Sequence, residues 1–233
     1  MANKTSKNTT QEAHRHHYIP QFILRRFNDE NGQVNYWDIE KSKLEKRNVK
    51  SIFMGIDMYR DEKQHADDPT IIESNFSRFE QEIAELISTK IIDKKEIVLT
   101  RRENEKLRIF ITLMAFRSNN RMKQYKENNF DESTRNKLLK YQPDGNFEEL
   151  WKRELDVLAN CRTYKEIEDS EVIDPIIKLD FFNDIKGYFI TFVDTISGEF
   201  LLTDIYPTLE IFPLVNANIH LHYLVPLSPT RML

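Results

Sequence analysis

The chain has 233 residues, 39% hydrophobic and 31% charged, with 34 Lys and Arg against 38 Asp and Glu for a formal net charge of −4. This length buries the core of one large domain without staples, and a single cysteine, Cys161, excludes an internal disulfide framework and fits a reducing compartment. The acidic balance argues against bulk attraction to nucleic acid or anionic lipid, no apolar run nears the roughly 18 residues of a bilayer span, and the five glycines form neither GxxxxGK(S/T) nor GxGxxG.

Residues 1–12, rich in Asn, Thr, Ser and Lys, read as a flexible lead to a single domain over 13–233. They lack the apolar block of a secretion signal, so a cytoplasmic protein that does not touch the membrane is expected. From His14 to Phe27 the chain reads HRHHYIPQFILRRF. After Pro20, the residues Phe22, Ile23, Leu24 and Phe27 recur at helical spacing, and Asn28 to Gly32 supplies turn formers. The run Val34 to Ile39 and a second run from Leu44 to Ile52, separated by charged residues, predict a β-hairpin.

From Pro69, the spacing of Ile72, Phe76, Phe79, Ile83 and Leu86 predicts an amphipathic helix capped by Asp67 or Asp68. Thr100 and Glu103 form a T-x-x-E capping box that opens a second helix, expected to run to about Tyr125. A polar segment from Asn128 to Asn146 follows, then a helix from Phe147 to Leu158 and a shorter one over Pro175 to Asp184. Strands are predicted at Tyr188 to Val193, pairing with Glu199 to Thr203 across the Ser197-Gly198 turn, and at Ile219 to Val225. The fold class is therefore α+β, with central helices flanked by short antiparallel strands from the N- and C-terminal regions packed near one another.

Imidazoles titrate near neutral pH, so His16 and His17 are the first candidates for proton transfer, with His17 as general base. Arg25, Arg117 and Arg121 are candidates for holding a phosphate-like charge. Asp204, in Thr203-Asp204-Ile205-Tyr206-Pro207, stands at the end of a predicted strand, where a rigid element can mount a carboxylate. His14, His16 and His17 could offer two imidazoles to a metal if a carboxylate such as Asp204 came near, but no CxxC or HExxH completes a ligand set, so no metal is assigned and the cofactor is left unknown. His220 and His222 share one face of their strand by the period-2 rule, and Glu73 and Glu80 lie near one helix face, where solvated glutamates are ordinary.

The run His16-His17-Tyr18-Ile19-Pro20-Gln21-Phe22-Ile23-Leu24-Arg25-Arg26-Phe27 resembles the opening HHYxPQFxLRxF-like motif of a mostly bacterial domain-of-unknown-function family. The acidic helix from Glu73 to Leu86, the arginine-bearing stretch Phe116 to Arg121 and the late (S/T)DxP-like element extend the resemblance over most of the chain. In that last element this chain carries one extra residue before Pro207. The resemblance transfers a site and no reaction. Clustered His, Arg and Asp suit a nuclease-like effector acting on nucleic acid or nucleotide phosphodiesters, with His17 as base and the arginines on phosphate. The rival expectation is a non-enzymatic binding module in which the same motif is architectural: Tyr18, Phe22 and Phe27 fill the core, Pro20 starts the helix and Arg25 pairs with a helix carboxylate.

Overall fold

The computed structural model describes residues 15–171, 173, 189–213 and 219–233. His14 and the helix expected over 175–184 lie outside the described residues. In chain order, strand β1 (Arg15–His17) leads into the single helical turn α1 (Gln21–Leu24), the hairpin β2 (Gln33–Asp38) and β3 (Lys43–Asn48), and strand β4 (Met54–Ile56). Helices α2 (Ile71–Leu86), α3 (Arg101–Phe116), α4 (Asn119–Lys126), α5 (Glu132–Leu138), α6 (Phe147–Asn160) and α7 (Tyr164–Asp169) follow. Strands β5 (Val193–Asp194), β6 (Thr208–Pro213), β7 (Ile219–Leu224), β8 (Pro226–Ser228) and β9 (Arg231–Met232) close the chain. This is the α+β class expected from the sequence.

The three long helices α2, α3 and α6 form where apolar spacing allows one face to be buried. Ile72, Phe76, Phe79, Ile83 and Leu86 of α2 are all buried, and α2 packs along α6, whose own buried face carries Leu150, Trp151, Leu155 and Leu158. The cap of α2 is Thr70 rather than Asp67 or Asp68, because Asp68 spends its Oδ1 on the Thr70 N–H and hydroxyl, tightening the turn before the helix. A π-turn over Ile87–Ile91 ends the helix, with Ile92 N–H donating to the Ile87 carbonyl at 2.9 Å.

The capping box of α3 is present in full. Glu103 N–H donates to Thr100 Oγ1 at 3.2 Å, and Glu103 Oε2 accepts the Thr100 N–H at 2.8 Å. An ion pair with Lys90, together with these bonds, holds the Glu103 carboxyl down at about 2. Replacing Thr100 by Ala removes the N-terminal cap and should cost about 1 kcal/mol, read as a fall of roughly 2–4 °C in melting temperature.

Two further differences from the sequence reading, in the helical part of the chain, have physical causes. The helix expected to continue to Tyr125 breaks after Phe116: Ser118 leaves the helical region and caps α4, its Oγ accepting from Arg121 N–H at 3.3 Å. Ser118, Asn119 and Asn120 are residues whose side chains compete for main-chain bonds, which favours a cap over a helix interior. The polar segment hides α5, capped by Asp131 through Thr134 N–H at 3.0 Å; of its side chains only Leu138 is buried, so no apolar stripe announces it.

The C-terminal strands also pair differently. Val193–Asp194 pairs with β9 and β9 with β8, whereas 199–203 forms no strand and is held by Phe200 N–H to the Pro229 carbonyl. The expected strand Ile219 to Val225 is β7, and its partner is β6. The N-terminal strand β1 pairs with β4, so strands from the two ends of the chain share no sheet among the described residues. The hairpin of β2 and β3 forms as expected but stops at Asn48, whose side chain caps a short 3-10 turn over Val49–Ser51.

Candidate functional site

The HHYIP motif spans the end of β1 and the turn into α1. Its strand register pairs His16 with Gly55 and His17 with Met54, and Tyr18 N–H donates to the Phe53 carbonyl at 3.0 Å. His16 is buried, and its Nδ1 accepts the Tyr59 N–H at 2.8 Å, so the neutral ring carries its proton on Nε2. The ring lies parallel to the Tyr59 ring with centroids 5.4 Å apart.

His17 is also buried and heads a short relay. Gln21 Oε1 accepts from Arg25 Nη2 at 2.9 Å, which turns the Gln21 amide nitrogen toward His17 Nδ1 at 3.3 Å. Burial drives the His17 imidazole down to about 4, opposed by a hydrogen bond to the Val49 backbone and helped by the charges of Arg117, Arg15 and Arg25. At neutral pH the ring is therefore uncharged. Arg25 itself is exposed at the end of α1, and it donates to the Gln21 amide oxygen rather than to the helix carboxylate expected of an architectural motif.

Arg117, the residue that caps the C-terminus of α3, is 1% exposed and is the centre of the arrangement. Its Nη2 donates to the His17 carbonyl at 2.5 Å, its Nε to the Tyr18 carbonyl at 3.3 Å, and its Nη1 to Glu80 Oε1 at 2.5 Å. The guanidinium carbon sits 4.8 Å from the centroid of Phe76. Burial works against the charge, but Glu80, Tyr59 and Glu73 hold it in place. The carbonyls at the end of α3 are taken up by aromatic donors: Tyr59 Oη bonds the Arg117 carbonyl and Trp151 Nε1 the Phe116 carbonyl, each at 3.0 Å.

Glu73 stands two turns before Glu80 on α2. Its Oε2 is buried without a hydrogen-bond partner among the described residues. Desolvation pushes its carboxyl up to about 7, with Glu80 adding to the rise and Arg117 opposing it. Tyr59, Trp151, Glu80 and Glu73 complete the cluster. The spacing of the two glutamates is visible in the sequence as a same-face pair, while nothing local marks Tyr59 or Trp151 as partners of a helix end.

Asp204 lies exposed in the turn before Pro207, and its charge adds to burial in pushing the Tyr18 hydroxyl up to about 12. Past Arg117 the chain opens into a cleft of about 700 Å³, lined by Ser118, Asn120, Arg121, Gln124 and Asn129 from the helical side and by Ile205, Tyr206, Thr208 and Tyr223 from the C-terminal segment. The Ile205–Thr208 turn, which adjoins Asp204, lines the same cleft as Ala115 and Ser118, on either side of the Arg117 end of α3. Arg121 Nη1 bonds Gln124 Oε1 at 2.8 Å, and its guanidinium carbon is 5.8 Å from the Phe116 centroid. It meets no carboxylate among the described residues.

The structure thus gathers His17, Arg117 and the Asp204 turn in one region with Arg121 in the adjoining cleft, and sets Arg25 on the far side of Gln21. The side chains of His220 and His222 lie outside the described ones. Among the described residues no group of three or more His, Cys, Asp or Glu could hold a metal ion, and no helix is long and apolar enough to cross a membrane. Cys161 is buried, and its thiol is pushed up to about 11 by that burial.

No curated protein and no solved structure matches the chain. A family model described as protein of unknown function (DUF4238) matches residues 15–233, and the chain belongs to that family.

Proposed function

We propose that the protein is a binding module: the HHYxPQFxLRxF motif and Arg117 build the scaffold, and the cleft between α4 and the Ile205–Thr208 turn holds the ligand. The ligand is a nucleotide or a related phosphate-bearing molecule. Arg121 takes the phosphate, and the amides of Asn120, Gln124 and Asn129 face its polar edges. The observation that carries this reading is the state of Arg121, a partly buried guanidinium at a cleft wall with an amide oxygen as its acceptor and no carboxylate beside it among the described residues, in a chain with more acids than bases. A positive charge so placed is available to an external anion.

The hydrolytic alternative asks His17 to accept a proton and Arg117 to clamp a phosphate. Burial of both, the use of all three guanidinium nitrogens of Arg117 within the protein, and an imidazole driven down to about 4 favour the scaffold role. Calorimetric titration with ATP, AMP and pyrophosphate is the test. Wild type should bind at least one of them, and Arg121→Ala should weaken that binding by about tenfold or more, as expected for loss of one charge-assisted contact. Equal binding by the two proteins, or none by wild type, would overturn the assignment.

A further inference from the structure

The β2–β3 hairpin forms a two-stranded sheet of its own, and no other described strand pairs with either edge. An open edge presents main-chain donors and acceptors to any strand that reaches it. One face of this hairpin sets Trp37 directly opposite Leu44, and the two are 55% and 62% exposed; Ile39, in the turn, is 79% exposed. Large apolar side chains left uncovered at the tip of a charged hairpin mark a surface used for association.

The surrounding charges are balanced. Lys43 pairs with Glu45 at 3.3 Å, Lys46 with Asp29 at 2.7 Å and Lys41 with Asp38 at 2.8 Å, while Arg47 pairs with Glu45 and lies over the Tyr36 ring. Such a surface has no net sign with which to select a polyanion or a polycation. It suits a partner carrying the same alternation of charge.

We propose that this partner is a second copy of the chain, joined edge to edge through β3 in an antiparallel, two-fold pairing centred on Leu44. In that register Leu44 lies against Leu44 of the partner subunit. Lys43 lies against the partner's Glu45, and Glu45 against the partner's Lys43. One face of the resulting four-stranded sheet then carries an unbroken apolar row from Trp37 through both Leu44 side chains to the partner's Trp37. On the other face Asp38, Lys43 and the partner's Glu45 alternate in sign. Moving the centre to Glu45 would set that carboxylate against its own copy and Lys43 against the partner's Arg47, and centring on Lys46 would oppose two ammonium groups. Cross-strand pairing penalises both, so the charge pattern selects the register. The overlap is short, and an interface below about 1,000 Å² makes a weak dimer that forms with rising concentration.

Sedimentation velocity of the full chain over a wide concentration range tests this. The wild-type mass should rise from 27.9 kDa toward twice that value. Lys43→Glu should weaken association about tenfold by setting like charges opposite one another, and the double exchange Lys43→Glu with Glu45→Lys should restore it. Leu44→Lys should abolish it. All three side chains lie on the surface of the hairpin, so the variants are expected to fold. A wild type that stays at monomer mass throughout would overturn the proposal. So would association that persists unchanged in Leu44→Lys and Lys43→Glu.

Discussion

Replacing Arg117 by Met should lower stability by about 3–5 kcal/mol, the cost of breaking a buried ion pair from one side. The side chain is 1% exposed and bridges three pieces of chain: the His17 and Tyr18 carbonyls of the N-terminal motif, Glu80 of α2, and its own position at the end of α3. Without it Glu80 loses its counter-ion, and two main-chain carbonyls lose donors in a place that water does not readily reach. Met fills much of the volume, so the loss reports the polar contacts rather than a cavity. Arg117→Lys should recover little, because one ammonium cannot span acceptors arranged for a planar fork. Urea denaturation with an unchanged slope and a lower midpoint is the expected result; a midpoint within the error of wild type would contradict the clamp.

The second large effect is a dependence of stability on pH that runs through Glu73. Its carboxyl holds a proton up to about 7 in the folded protein, against an ordinary value of 4.5. Below pH 4.5 both states are protonated and the contribution is fully present. As pH rises through 7 the folded protein must either carry a buried charge or unfold, and stability falls by an amount on the order of 3 kcal/mol. His17 acts in the opposite sense: its folded value is about 4 against 6.5, so its contribution is present above pH 6.5 and is lost as pH falls toward 4. Between these limits the two slopes oppose each other. Glu73→Gln removes one of them, so the variant should be more stable than wild type above pH 7, with the gap closing toward pH 5. Melting curves that run parallel for the two proteins from pH 5 to pH 8 would show that Glu73 does not titrate in this range.

Local signals read well where one residue pair or one stripe decides the outcome. The Thr100 and Glu103 capping box, the α2 stripe from Ile72 to Leu86 and the β2–β3 hairpin all follow from short-range chemistry and all form. The fold departs from that reading where long-range partners decide. The pairing of Val193–Asp194 with β9 joins residues 37 apart through the Arg231 bonds to Asp194, and no turn signal encodes it. The site shows the same division. Its residues are legible as a list, since His16, His17, Arg117, Arg121 and Asp204 fall in the recognisable motifs. What they do depends on burial, and burial of Arg117 depends on Glu80, Phe76 and the two C-terminal carbonyls held by Tyr59 and Trp151. A residue type that most often meets solvent or phosphate is here enclosed, and the neighbouring arginine, Arg121, lines the cleft.

The most direct test of this division of labour is a melting experiment on His17→Ala and Arg121→Ala side by side, each with and without the nucleotide that wild type binds most tightly. His17→Ala should melt clearly lower than wild type and keep the ligand-induced rise, whereas Arg121→Ala should melt close to wild type and lose it. The reverse pattern, with a stable His17→Ala that no longer responds to ligand, would make the buried motif the working site and contradict the scaffold assignment.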